Sequence, residues 1–279
     1  RLQKVFPLTS ISALYGGSED RHTFASLTIS TTHQLLRFKQ TFDCIIVDEV
    51  DAFPYSADKS LQFAVQKSRK EKSSLIYLTA TPNKKWQQEV QQNKREAVRI
   101  PARYHGHPLP VPEYVWVGNW KKQLEKGRLP PKVINWLKTR IESNKQAFLF
   151  VPSVSIIDEV VKLCRKLDER IEGVHAEDPN RREKVKRFRN GEMIVIVTST
   201  ILERGVTIPN SEVAVLGSED DIFTESALVQ ISGRVGRSAK YPNGHVTFFH
   251  YGKSQAMVDA RKHIMKMNEE AKQGGYFLK

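Results

Sequence analysis

Asp48-Glu49-Val50-Asp51 follows directly on the apolar run Cys44-Ile45-Ile46-Val47. A strand that delivers carboxylates to its carboxyl end places them where open α/β sheets bind ligands. There the first acid can hold Mg²⁺ on a nucleotide, and the second can orient and deprotonate the water that attacks a γ-phosphate. The structural alternative is an acidic turn after a strand. The next strand-like run ends in Leu78-Thr79-Ala80-Thr81-Pro82. Its short hydroxyl side chains can hydrogen-bond the acidic cluster and sense the state of a phosphate; read alone, it is a Pro-terminated strand end with an ST-turn.

A third group is Gln230-Ile231-Ser232-Gly233-Arg234-Val235-Gly236-Arg237. Its glycines let the backbone approach another surface closely. Arginines so placed can reach a triphosphate, where such fingers accelerate phosphoryl transfer by ~10³–10⁵; solvated arginines at a helix end are the plainer reading. Val197-Thr198-Ser199-Thr200-Ile201-Leu202-Glu203-Arg204-Gly205-Val206 is a strand end followed by a turn, with hydroxyl and amide donors suited to phosphate oxygens. Ile29-Ser30-Thr31-Thr32-His33-Gln34 reads as a similar hydroxyl cluster opening a helix, where amides favour an anion. Each is also an ordinary N-cap pattern.

These groups need rigid supports. Apolar runs at Phe42–Val47, Ser74–Leu78, Ala147–Val151, Met193–Val197, Glu212–Leu216 and His245–His250 read as buried strands. Helical spacing covers Ala57–Lys72, Lys132–Ser143, Ser153–Asp168, Asn180–Asn190, Thr224–Gly233 and Lys253–Lys272. Alternating strands and helices imply parallel sheets covered on both faces. From Pro101 to Pro131 the alternation breaks at six prolines, the natural domain junction. Two α/β lobes are therefore expected, residues 1–108 and 109–279, with a cleft between them.

In order and over nearly the whole chain, D-E-V-D, T-A-T-P, T-S-T-I-L-E-R-G-V and Q-I-S-G-R-V-G-R resemble motifs II, III, V and VI of superfamily 2 helicases. The wording of T-S-T-I-L-E-R-G-V, followed by I-P-N, and the V-H-A-E-D-P-N-R-R-E-K segment are most similar to the ComFA family of DEAD-box-like competence proteins, with PriA and RecG more distant. The resemblance implies two RecA-like domains, the first truncated at its amino end, ATP and Mg²⁺ as cofactors, and single-stranded DNA and other competence proteins as partners. It places the protein inside the cell, near the membrane. By position it makes Asp48 the metal-holding and Glu49 the water-activating carboxylate, with Asp51 bridging between motifs. Thr79 and Thr81 would couple hydrolysis to lobe movement. Thr31, Thr32, Thr198 and Thr200 would lie near the nucleic-acid backbone. Gly205, Gln230, Arg234 and Arg237 would face ATP, Arg237 as the finger. A nucleic-acid-binding or docking module without turnover, or a replication-repair helicase of the PriA and RecG kind, is the alternative.

The phosphate-binding sequence G-x-x-x-x-G-K-[ST] is absent. Little ATPase activity is therefore expected of this stretch by itself, and its first residue, lacking an initiator Met, looks like a fragment boundary. Gly252-Lys253-Ser254 mimics only the motif's ending and reads as a helix start. His175-Ala176-Glu177 lacks the P-C-x-x-C of zinc deaminases and reads as a strand-to-loop histidine. Proteins like ComFA carry an upstream four-cysteine zinc site, which Cys44 and Cys164 cannot form. Both cysteines are read as small core residues of a reducing compartment. Trp86, Trp116, Trp120 and Trp136 can stack bases or pack cores. The net charge of +13 points to a polyanion partner. No apolar run approaches the roughly 20 residues of a membrane helix.

Overall fold

The computed structural model describes residues 2–199 and 208–278. Contacts divide the chain into two compact units, Arg1–Ala97 and Val98–Lys279. In the first, helix α1 (Leu2–Val5) precedes two parallel strand pairs. β1 (Ile11–Leu14) pairs with β2 (Leu27–Ser30), and β3 (Phe42–Val47) with β4 (Arg69–Tyr77). Helix α2 (Lys59–Ser68) makes the crossover between β3 and β4, and α3 (Lys84–Gln91) follows. Asp58 starts α2 by accepting from Ser60 N at 2.7 Å and Leu61 N at 3.4 Å, satisfying amides that a helix leaves orphaned. Leu61, Ala64 and Val65 recur at i, i+3 and i+4 and pack on Ile45 and Val47.

Two expectations change here. Helical spacing continued to Lys72, but α2 stops at Ser68. Gln40 N and Thr41 N bond Lys67 O and Ser68 O at 2.9 and 2.7 Å, which draws the chain into the ladder with β3. Cys44 is exposed, whereas Cys164 is buried. With Ile45 and Val47 turned into the core, the two-residue period of β3 sends Cys44 and Ile46 to the other face.

The second unit contains β5 (Glu113–Trp116), α4 (Trp120–Glu125), α5 (Pro131–Glu142), β6 (Ala147–Phe150), α6 (Ile157–Arg165), β7 (Ile171–Val174), α7 (Arg181–Arg189), β8 (Val195–Thr198), β9 (Glu212–Leu216), α8 (Glu225–Ser232), β10 (Val246–His250) and α9 (Gln255–Gln273). Its six strands run in the order β5-β10-β9-β6-β8-β7, and every pairing is parallel. Alternate residues feed two cores. Ala147 and Leu149 pack with Val133 and Leu137 of α5 and Val160 of α6. Phe148 and Phe150 pack with Phe188 of α7, Leu228 of α8 and Met257 of α9. Covering both faces lets the strands be apolar throughout.

The division falls ahead of residue 108 because the preceding segment is tied to the second unit. Arg99 pairs with Glu270 at 2.8 Å, and Leu109 exchanges hydrogen bonds of 2.7 and 2.8 Å with the Asn268 amide. Trp120 and Trp136 are core residues and Trp116 is exposed, while Trp86 stacks on Tyr77 at 5.2 Å. Among the described residues no helix is long and apolar enough to cross a membrane.

Candidate active site

In the first unit, β3 ends at Val47 and the acidic turn begins. Leu78 N bonds Val47 O at 2.9 Å, and Val50 N bonds Leu78 O at 3.1 Å, so the ends of β3 and β4 are stitched together. Val50 is buried while Asp48 and Glu49 are exposed. Glu49 takes a left-handed backbone, φ 51°, an unfavourable state for a residue with a Cβ and one that clusters at functional sites. Its N–H bonds Asp48 Oδ1 at 2.9 Å. Asp48 is itself exposed, and a carboxylate oxygen is a donor type suited to a divalent cation carried on a nucleotide. Among the described residues no group of three or more His, Cys, Asp or Glu is arranged to hold a metal ion.

Asp51 joins the two motifs. Its carboxylate accepts from Thr79 Oγ1 at 2.7 Å and Thr81 Oγ1 at 3.2 Å, and Thr81 N bonds Thr79 Oγ1 at 3.0 Å. Hydrogen bonds to a charged acceptor contribute about 1.5–3 kcal/mol each. Asp51→Ala is therefore expected to lower the stability of the first unit by a few kcal/mol, on the order of one such bond or more. Asp51→Asn, which keeps one acceptor oxygen, should lose less. Urea unfolding followed at the Trp86 fluorescence checks this, and equal midpoints for Asp51→Ala and the parent chain would contradict it.

In the second unit α8 starts at a Thr224 cap, whose hydroxyl accepts from Ala227 N at 3.2 Å, and ends at Gly233. Gln230, half-buried, lies in its last turn. Arg234 is 2% exposed, its guanidinium 6.0 Å from the Phe148 ring centre. Arg237 is exposed, and its Nε bonds Gly233 O at 3.1 Å. Residues outside the helix hold the loop between these arginines. Arg103 donates from Nη2 to Val235 O at 2.7 Å and from Nη1 to Gly236 O at 2.6 Å. The buried His105 donates from Nε2 to the same Gly236 oxygen at 3.0 Å. His107 N–H points at His105 Nδ1 at 3.3 Å, which makes Nε2 the protonated nitrogen. Burial, then the neighbouring Arg237 cation, pushes the Arg103 guanidinium down to about 10. Gly236 has φ +69°, and a Cβ there would strike Pro242 O and lie 2.7 Å from Arg103 Nη1.

Thr31 caps the short 3₁₀ turn Thr32–Arg37 without a side-chain bond; the turn, rather than an α-helix, follows β2. Thr198 ends β8 with its side chain buried and its hydroxyl on Ser199 O at 3.3 Å. Thr200 and Gly205 lie outside the described residues. Ser254 caps α9, accepting from Met257 N at 3.3 Å, so the Gly252-Lys253-Ser254 mimic is a helix start. His175 follows β7 directly. An open groove of about 550 Å³ lies beside Lys132, Trp136 and Glu212, at the amino ends of β9 and β10. That is the edge opposite the one where such sheets bind ligands, so its volume does not mark the site. On α7, Arg182, Lys186 and Arg189 are exposed at i, i+4 and i+7, a spacing that puts three cations on one face. That stripe was legible in the sequence; Arg103 and His105 carry no spacing signal.

Residues 130–239 match the family model of the helicase conserved C-terminal domain. Along 97% of its length the chain is 53% identical to competence protein ComFA of Bacillus subtilis (strain 168), covering 58% of that protein. It is 38% identical to competence protein ComFA of Streptococcus pneumoniae, covering 63% of it. The chain thus spans about three-fifths of the length of these relatives. ATP-dependent DNA helicase RecG of Staphylococcus aureus is 29% identical over 42% of the chain and 20% of RecG. Among solved structures, yeast Dbp5 bound to RNA and ADP BeF3 aligns with a TM-score of 0.64 at 15% identity, over 92% of this chain and 68% of that one. Helicase Lhr of Mycobacterium smegmatis, bound to ssDNA and AMP-PNP, aligns with a TM-score of 0.64 at 14% identity, over 94% of this chain and 37% of that one.

Proposed function

We propose, from the match of residues 130–239 to the helicase conserved C-terminal domain, parallel sheets like those of RecA-like helicase domains and 53% identity to ComFA along 97% of its length, that this chain is one of the superfamily 2 helicases and motor machinery of an ATP-driven single-stranded DNA translocase serving DNA uptake. The observation that carries the reading is the Asp51 bridge to Thr79 and Thr81. It ties the carboxylates that would meet the phosphates to the next strand end, so a change at one is felt at the other. Bound ATP and Mg²⁺ supply the phosphoryl group and neutralise its charge. Asp48 would hold the cation, and Glu49 would take the proton of the attacking water. Gly205, Gln230, Arg234 and Arg237 are assigned to the nucleotide, with Arg237 on the developing charge. Thr31, Thr32, Thr198 and Thr200 lie along the DNA backbone. The motor works at the inner face of the membrane with other uptake proteins.

The test is ATP turnover by the full-length polypeptide carrying a phosphate-binding loop. Single-stranded DNA should stimulate it at least about tenfold, and affinity for DNA should fall steeply with salt. Release of counterions from about six phosphates gives a log–log slope near −4. Turnover indifferent to DNA, or salt-insensitive binding, would reject the translocase.

A further inference from the structure

We propose that Arg103 is a positioning residue for Arg237, holding the finger loop by its carbonyls so that the guanidinium is presented to the γ-phosphate; this rests on the motor reading above. The loop Gly233–Arg237 leaves the end of α8 and has little regular structure of its own. Its carbonyls at Val235 and Gly236 are the acceptors of the Arg103 fork, at 2.7 and 2.6 Å, with the His105 ring on the second at 3.0 Å. A planar guanidinium can hold two successive carbonyls at once, which a lysine cannot. Gly236 leaves the room that Arg103 occupies, since an added Cβ would come within 2.7 Å of its Nη1. The two cations are also neighbours, and burial with that repulsion depresses the Arg103 pKa to about 10. The Arg103 side chain is itself engaged by the loop carbonyls, so it acts through Arg237 rather than on the substrate.

A double-mutant cycle tests this in the full-length protein, with steady-state ATP turnover on saturating single-stranded DNA. Arg103→Ala should lower kcat by about 10–10²-fold with KM for ATP changed less than about twofold, the pattern of an interaction realised in the transition state. Arg103→Lys, keeping one bond and the charge, should fall between the two and guards against misfolding of the alanine variant. In the background of Arg237→Ala, adding Arg103→Ala should slow turnover no further, because residues acting as a unit are not additive. Arg237→Ala at parental speed would sink the finger assignment and this inference with it. A slow Arg237→Ala beside a normal Arg103→Ala, or effects that multiply, would overturn this inference alone.

Discussion

Glu49→Gln in the full-length protein is expected to cut DNA-stimulated ATP turnover by about 10²–10⁴-fold, the range over which a positioned general base contributes. The substitution keeps the side chain's size and shape and removes its charge and its capacity to accept a proton. Glu49 and Asp48 are exposed, Val50 anchors the loop, and the 2.9 Å bond from Glu49 N–H to Asp48 Oδ1 does not involve the Glu49 side chain. Gln inherits the same φ of 51° and the same strain. Nucleotide and DNA affinities, measured by equilibrium titration, should therefore stay within about threefold of the parent, so that binding and chemistry separate. A variant that hydrolyses at the parental rate would strip Glu49 of its role.

Arg237→Ala carries the second large effect, a loss of about 10³–10⁵ in kcat if the side chain stabilises the charge of the transferring phosphoryl group. Arg237 is exposed and its Nε bonds Gly233 O at the foot of its own loop; as an exposed side chain it should, on removal, move the melting midpoint far less than a buried one. Arg234 behaves differently. It is 2% exposed with its guanidinium 6.0 Å from the Phe148 ring centre, and Arg234→Ala opens the core beneath β6. That variant should melt early as well as turn over slowly. Thermal melts beside single-turnover rates distinguish the two arginines; an Arg237→Ala protein that is merely unstable, with normal chemistry at low temperature, would rule out the finger.

The alternation of strand and helix was legible because the second unit buries its strands on both faces. Ala147–Phe150, Glu212–Leu216 and Val246–His250 are therefore nearly continuous apolar runs. β7, with Glu172 and Gly173 inside it, offered no such run. It is a strand because Ile171 and Val174 are buried and Glu172 is satisfied by Arg187 at 2.7 Å. β5 hid among prolines, and its identity depends on pairing with β10, far away in sequence. The helix read through Ala57–Lys72 overran for the same reason, since the ladder to β3, a tertiary contact, outweighed local spacing.

At the candidate site, residue types announced Asp48, Glu49, Asp51 and the threonines, because a carboxylate cluster after an apolar run is a local pattern. The bridge from Asp51 to both hydroxyls follows from two strand ends lying side by side. Arg103 and His105 could not be found that way. Their partners are main-chain carbonyls, which every residue has, and nothing in the side chains of Val235 or Gly236 announces them.

The docking of Arg99 and Leu109 on α9, together with the β5–β10 pairing, joins the opening of the second unit to α9 across as many as 171 residues, from 99 to 270. A ribosome emits β5 long before β10 and α9 exist, and long-range closure is slow to find. During synthesis the nascent edge strand and the stretch carrying Arg103 must wait, unmatched, for partners made more than 130 residues later. The brace of the Arg237 loop is thus made first and stands idle until the loop it grips has followed it out.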